Sequence, residues 1–295
     1  MRALCICAVI LGMGLSLANA QYFGPYDKFN RLYTMENAIP VKHLHPSVFL
    51  SYWYYYADEG FDEDGNRNDM AGGVEFTQSW FVPAFAFGAG NVVEFGMAFP
   101  VLAEHGSLGS IEADGSGIGD ITIWLKTAII PKPWFGFRVL TKLATGDDDI
   151  TNRMPTGTGQ TDFDFGLQFA YEPEKQGVMC DINAGYRLTM SKDEAGGIEF
   201  NPGDEGRAGI YVGGMPVEGL GIMFGGDGIV TFNDQYDGDT AKNSSRASAM
   251  IGLKLMYRTK FGLRTQASLK TDIAGKLVPA GYGFAFCVGY QPEFW

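Results

Sequence analysis

Charged side chains of both signs recur through the middle of this chain, each flanked by apolar or small residues. Asp120, Lys126, Arg138, Lys142, Asp162, Asp164, Arg187 and Arg207 all fit this description. In Asp162-Phe163-Asp164-Phe165-Gly166-Leu167-Gln168-Phe169 every second residue is a large hydrophobe. An extended strand sends the two sets to opposite faces. Opposed charges held around a narrow water path create a transverse field that filters what passes. The same residues could instead pair with one another and fill an interior, because buried charge needs a partner.

Two other groupings have ligand chemistry. Asp62, Asp64, Asn66 and Asn68 alternate oxygen-bearing side chains around Gly65, as calcium loops do. The distal bidentate Glu of such loops is missing, and a solvated acidic loop has the same composition. His43-Leu44-His45 lacks the further ligands that a metal centre needs. Catalytic signals are absent. His105 is the one other histidine, and it falls in an expected loop. There is neither a G-x-S-x-G nor an H-E-x-x-H. The expectation is a protein that is not an enzyme and needs no cofactor, calcium in the Asp62 loop being the one alternative.

These residues need elements to hold them, and the chain begins with an export signal. Arg2 precedes the apolar run Leu4–Leu17, and Ala18-Asn19-Ala20 reads as a cleavage site, so residues 1–20 read as a signal peptide. No later stretch has the ~18 consecutive apolar residues of a spanning helix. A mean hydropathy of only -0.04 suits strands whose alternate residues cancel. The net charge of -12 argues against nucleic acid as a partner. Cys180 and Cys287 read as free thiols on lipid-facing positions.

Alternation and turn residues predict about twelve strands, an even number. The ranges are 47–57, 73–87, 91–103, 118–130, 134–145, 161–172, 177–190, 205–215, 220–233, 245–258, 261–272 and 281–290. Short turns follow at 88–91, 131–133, 172–177, 216–219 and 259–260, and long polar connections at 58–72, 104–117, 146–160, 191–204 and 234–244. This asymmetry, with short periplasmic turns and longer external loops, is that of an antiparallel transmembrane β-barrel. Residues 21–46 read as a periplasmic segment or short plug, and 47–295 as the barrel. The phasing also sends Glu75, Glu94, Asp181, Asp227, Lys254, Arg264, Lys270 and Asp272 inward, and Val74, Phe76, Trp80 and Val82 outward. Twelve strands lie between about eight, which side chains fill, and about sixteen, which leave a water channel.

The stretch Gly117–Tyr186 resembles a known family. Gly117-Ile118-Gly119-Asp120-Ile121-Thr122 through Lys126 looks like its opening motif. Lys142-Leu143-Ala144-Thr145-Gly146-Asp147 looks like its K-L-P-T-G-D strand end, with Ala144 in place of Pro. Phe163–Gly166 and Asn183-Ala184-Gly185-Tyr186 look like the next two strands. This is the outer-membrane barrel family of the meta-pathway of phenol degradation, also called putative transporters. The resemblance implies a bacterial outer-membrane location and passage of small aromatic or hydrophobic molecules. The final strand and Phe294-Trp295 resemble the signal read by the barrel-assembly machinery. Expected partners are thus that machinery, outer-membrane lipid, lipopolysaccharide and a small-molecule permeant. A non-transporting barrel, whose acidic loops bind cations or a partner, is the alternative function.

Overall fold

A computed structural model describes residues 46–291 apart from 71–72, 91, 109–110, 132, 149–153, 174 and 195–197. Residues 1–45, on which the expected signal peptide, the periplasmic segment and the two histidines His43 and His45 fall, and the aromatic C-terminus lie outside the described residues. The architecture is a closed antiparallel barrel of 12 strands. In chain order these are β1 (Pro46–Phe61), β2 (Val74–Ala89), β3 (Val93–Ala98 and Val101–Leu108) and β4 (Ile111–Ile118 and Thr122–Pro131). Then come β5 (Trp134–Lys142), β6 (Asp162–Tyr171), β7 (Gly177–Thr189) and β8 (Glu205–Val217). Last are β9 (Leu220–Thr231), β10 (Arg246–Arg258), β11 (Leu263–Lys276) and β12 (Val278–Tyr290). Each strand pairs with its sequence neighbours. Closure is made where β1 pairs with β12, from Val48↔Tyr290 to Phe61↔Val278. Closure leaves the sheet no edge, the condition for strands to sit in hydrocarbon.

Alternation decides the faces. On β6 the sequence Asp-Phe-Asp-Phe-Gly-Leu-Gln-Phe reads buried, exposed, buried, exposed through Leu167. Leu167 is 50% exposed, whereas Gln168, one residue on, is in the barrel interior. The exposed set around the barrel is a belt of Phe, Leu, Ile, Val and Tyr. Phe87, Tyr171, Tyr257 and Tyr290 stand near the short-turn ends, and Tyr186, Phe232 and Tyr282 near the long-loop ends. Such girdles belong at the two membrane interfaces. Leu167→Arg, mid-strand on this belt, is expected to destabilise the barrel by about 2–4 kcal/mol in lipid vesicles. Urea unfolding would measure it, and an unchanged midpoint would remove β6 from the lipid face.

Four sequence expectations change. Residues 104–108 and 111–117 are not a long loop but the outer halves of β3 and β4, paired from Val101↔Ile118 to Leu108↔Ile111. Gly106, Gly109, Gly115, Gly117 and the acids there read as loop composition, yet tertiary pairing overrides that weak preference. His105 consequently sits on a strand, its Nδ1 2.7 Å from Asp114 Oδ1. β11 and β12 are joined through the single residue Leu277, at φ 52°, rather than by a connection of several residues. The phase of β2 is also reversed. Phe76, Gln78, Trp80, Val82 and Ala84 are buried, while Glu75, Phe81, Phe85 and Phe87 face out. Both faces of β2 are apolar, so alternation there carries little phase information. Cys180 and Cys287 are free thiols, but Cys287 lies on the buried face with Phe49 rather than toward lipid.

The long connections have structure of their own. A four-stranded sheet joins Lys192–Glu194 and Ile198–Asn201, from one loop, to Gln235–Tyr236 and Asp239–Thr240, from another. The Arg246 guanidinium binds them to the barrel. It donates to both Asp234 oxygens, at 3.0 and 2.7 Å, and to the Pro202 carbonyl at 3.3 Å.

Candidate functional site

The interior divides into two unlike halves. From β1 to β5 the inward positions are mainly apolar. Phe49, Trp53, Tyr55, Phe76, Trp80, Val82, Leu102, Trp124 and Leu140 form one buried cluster. From β4 round to β11 the inward positions carry charge: Lys126, Arg138, Lys142, Asp162, Asp164, Arg187, Glu205, Asp227, Lys254, Lys270 and Asp272 are all buried.

Register explains how these charges meet. Arg138, Asp164, Arg187 and Arg207 lie on four consecutive strands, β5 to β8, within two residue pairs of one level. Arg138 Nη2 donates to Asp164 Oδ1 at 2.6 Å, and Arg207 Nη1 lies 3.6 Å from Asp164 Oδ2. Arg207 Nη2 donates to Glu205 Oε2 at 2.8 Å, and Arg187 Nη1 approaches the same oxygen at 3.3 Å. The result is a continuous chain, Arg138–Asp164–Arg207–Glu205–Arg187, across the wall. Lys142 and Asp162 are cross-strand partners at 2.5 Å, one step nearer the long loops. Lys126 meets Glu94 at 3.1 Å, and the indole N–H of Trp124 donates to the same carboxylate at 2.8 Å. A second network lies on β8 to β11. Lys270 and the Tyr211 hydroxyl both donate to Asp227 at 2.6 Å, and Lys254 sits 3.5 Å from the centre of the Tyr211 ring. Charges withdrawn from water and held at these distances satisfy one another.

Asp120 does something different. It occupies the break between the two halves of β4, and its carboxylate accepts four hydrogen bonds from the connection after β5. The donors are the backbone N–H groups of Thr145 (3.1 Å), Gly146 (2.9 Å) and Thr158 (2.9 Å), and the Thr158 hydroxyl (2.9 Å). The loop is thereby folded back, and Met154 N donates to the Asp114 carbonyl at 3.0 Å, along the outer half of β4. Close approach explains the glycines of this motif. A Cβ on Gly146 would stand 2.6 Å from the Gly157 backbone, and one on Gly115 would stand 2.1 Å from the Met154 carbonyl oxygen. Asp120, Gly146 and their neighbours in the motif thus organise a loop. Lys142 and Asp162 sit beneath it.

The Asp62 loop uses its own acid internally. Asp62 accepts from the N–H of Asn66 at 2.8 Å, the N–H of Asp64 at 3.0 Å, and the side-chain amides of Asn66 and Asn68 at 3.1 Å each. Among the described residues no cluster of three His, Cys, Asp or Glu is arranged to hold a metal ion. The Asn66 N–H, followed by the other donors, holds the Asp62 carboxyl below the usual carboxylate range. A depressed folded-state pKa contributes order that is complete above the unfolded value and lost as pH falls through the folded one. Hydrogen exchange at the Asn66 amide is therefore expected to be slow at neutral pH and to lose protection below about pH 4. Protection unchanged down to pH 2 would remove the carboxylate from this role.

Sequence reasoning found the charged half but missed the apolar wall and Glu205. Glu205 shares the phase of Arg207, so its inward direction was available from the same alternation. The wall was hidden by the uninformative phase of β2 and by aromatic residues on both faces of β1.

A closed antiparallel barrel with an apolar outer belt, short turns at one end and longer loops at the other is a bacterial outer-membrane β-barrel. The chain belongs to the family described as putative MetA-pathway of phenol degradation, which matches residues 48–287. It is similar to an outer membrane channel from Pseudomonas putida F1, with a TM-score of 0.73 and 12% identity over 86% of this chain and 97% of that one. It is also similar to the translocator domain of the autotransporter NalP from Neisseria meningitidis, with a TM-score of 0.52 and 14% identity over 94% and 96%. At such identities the likeness is one of fold. No curated protein sequence matches the chain.

Proposed function

We propose that this protein is a passive outer-membrane channel for small hydrophobic compounds, aromatic ones among them. The observation that carries the reading is the inward apolar wall of β1 to β5, built around Trp53, Trp80 and Trp124. A continuous aromatic face on the inward side suits a hydrophobic solute better than it suits an ion. A hydrophobic solute gains about 25 cal/mol for each Å² it removes from water. Family membership and the channel named among the similar structures support the same reading. Passage down a gradient makes and breaks no bonds, so we assign neither catalytic residue nor cofactor. Lipopolysaccharide at the acidic loops and the assembly machinery at β12 complete the proposed partners.

In this reading Lys126, Arg138, Lys142, Asp162, Asp164, Arg187 and Arg207 form the charged side of a constriction, under the loop that Asp120 holds. Planar-bilayer recording of the full chain tests it. The wild type conducts, and Lys142→Ala with Arg187→Ala shifts the reversal potential toward cation selectivity, because Asp162 and Glu205 remain. The shift shrinks at 1 M salt, where the Debye length is ~3 Å. A second reading, a non-transporting structural barrel, is favoured by one observation: the inward charges are buried and mutually paired. A silent wild type whose double variant merely melts earlier would establish that reading instead.

A further inference from the structure

Four sulfur-bearing side chains line one cavity near the short-turn end of the lumen: Met179, Met215, Met256 and Cys287. Register explains how they come together. One row of the wall runs from the β8 bulge that holds Met215, through Gly221 on β9, Met256 on β10 and Gln266 on β11, to Cys287 on β12. Sulfur therefore recurs on alternate strands at a single level. Met179, on β7, is buried beside Met215, and Met256 packs against them. Gly221 lets the thioethers approach. A Cβ on it would stand 2.7 Å from Met179 Sδ and 3.3 Å from the Met256 methyl carbon. The space in the cavity free for the centre of a water-sized body is about 20 Å³. Each such body needs about 10–15 Å³, so the cavity takes a single ion or one or two waters, and not an aromatic ring.

Thioether and thiolate sulfur are soft donors, and they select soft ions such as copper(I). We propose that Met179, Met215, Met256 and Cys287 form a binding site for a soft monovalent metal ion, of the copper(I) class. The inference goes beyond the channel reading and does not depend on it. Three rotatable bonds let each methionine turn its sulfur into the cavity without moving a strand. Charge explains the part of the cysteine. Arg258, held by Glu172 at 2.8 Å, and Arg264 line the same cavity. A cation on neutral thioethers alone would meet like charge there. When the Cys287 sulfur binds the metal, its thiol proton leaves to solvent, and the metal–thiolate unit is neutral. No electron is transferred, and the ion enters and leaves in the +1 state.

Silver(I) is the probe, because it shares the charge and softness of copper(I) and keeps its oxidation state in air. The full-length protein in detergent is loaded with silver nitrate in chloride-free buffer and desalted, and the retained silver is counted by mass spectrometry. The wild type is expected to retain one equivalent more than Met179→Leu with Met256→Leu, a comparison in which every other silver-binding group of the chain cancels. Leucine conserves the volume of methionine, so the barrel should still fold. Met256→Leu alone, at a half-buried position, makes the same comparison if the pair does not. Cys287→Ser should lose the equivalent as well. Against thiodiglycol, a competing thioether with no titratable group, the wild type should gain about tenfold in silver affinity per pH unit, one proton leaving for each ion bound. Zinc(II), which takes thiolate, imidazole and carboxylate ligands, should show no difference between the wild type and the leucine variants. Equal silver retention by the wild type and the leucine variants overturns the proposal. So does full retention by Cys287→Ser, a competition that ignores pH, or an extra equivalent of zinc in the wild type.

Discussion

Asp164→Ala is expected to lower the stability of the folded barrel by about 3–5 kcal/mol, the usual effect of removing one partner from a buried ion pair. Asp164 is 1% exposed and stands between two guanidinium groups, Arg138 at 2.6 Å and Arg207 at 3.6 Å. Its removal leaves Glu205 as the acid of the chain, already engaged by Arg207 and Arg187. Positive charge then faces positive charge in a site where water does not screen it. Urea unfolding in lipid vesicles, followed by the mobility difference between heated and unheated barrel, reads the loss. Replacing the pair together, Arg138→Met with Asp164→Leu, should recover much of it, since neither charge is then left alone. A change within about 0.5 kcal/mol, the range of an ordinary surface substitution, would show that the interior is wet enough to solvate these groups.

Asp120→Ala is expected to release the connection after β5 and to cost on the order of 3 kcal/mol. Each hydrogen bond to an ionised group contributes about 1.5–3 kcal/mol, and bonds that share one carboxylate are not additive. Four such bonds are lost at once. Thr145, Gly146 and Thr158 then have no common acceptor, and the contact of Gly146 with Gly157 is left to the bonds that Thr156 N and Gly157 N donate to the Asp147 carbonyl. Limited proteolysis of the protein in vesicles should cut between residues 143 and 161 in the variant and not in the wild type. Asp120→Asn should fall between them, because an amide oxygen accepts but the adjacent NH2 opposes the N–H donors. Equal resistance of the alanine variant would mean that the remaining bonds, from the Thr145 hydroxyl to Gly119 and the Thr156 hydroxyl to Ile118, hold the loop without the carboxylate.

Much of the fold was legible because a lipid-facing strand obeys a local rule. On β6, and on β12 from Tyr282 onward, the outward residue is large and apolar and the inward one polar or small, so the period-2 pattern is complete within one strand. Turn residues are equally local, and they carried the strand number and the antiparallel order. The charged candidates were found for the same reason: an acid or base in a strand that also carries a lipid face can point only one way.

Other features depend on what lies across the barrel, and no single strand encodes that. β2 is apolar on both faces, outward toward lipid at Phe81 and Phe85 and inward toward the aromatic wall at Trp80 and Val82. Its phase is therefore decided by its partners β1 and β3. Residues 104–117 are rich in glycine and acids, and 104–108 and 111–117 become strand because β2 and the refolded loop at Met154 supply partners on both sides. Asp120 looked like a pore charge by alternation, yet it lies at a break in β4, where its carboxylate meets donors from 25 to 38 positions along the chain. The sequence by itself determined that this chain closes a lipid-facing barrel, because the solvent on the outside is uniform and each strand answers it separately. The tertiary structure alone decided which inward groups pair, because each inward group depends on the side chains that other strands bring to meet it.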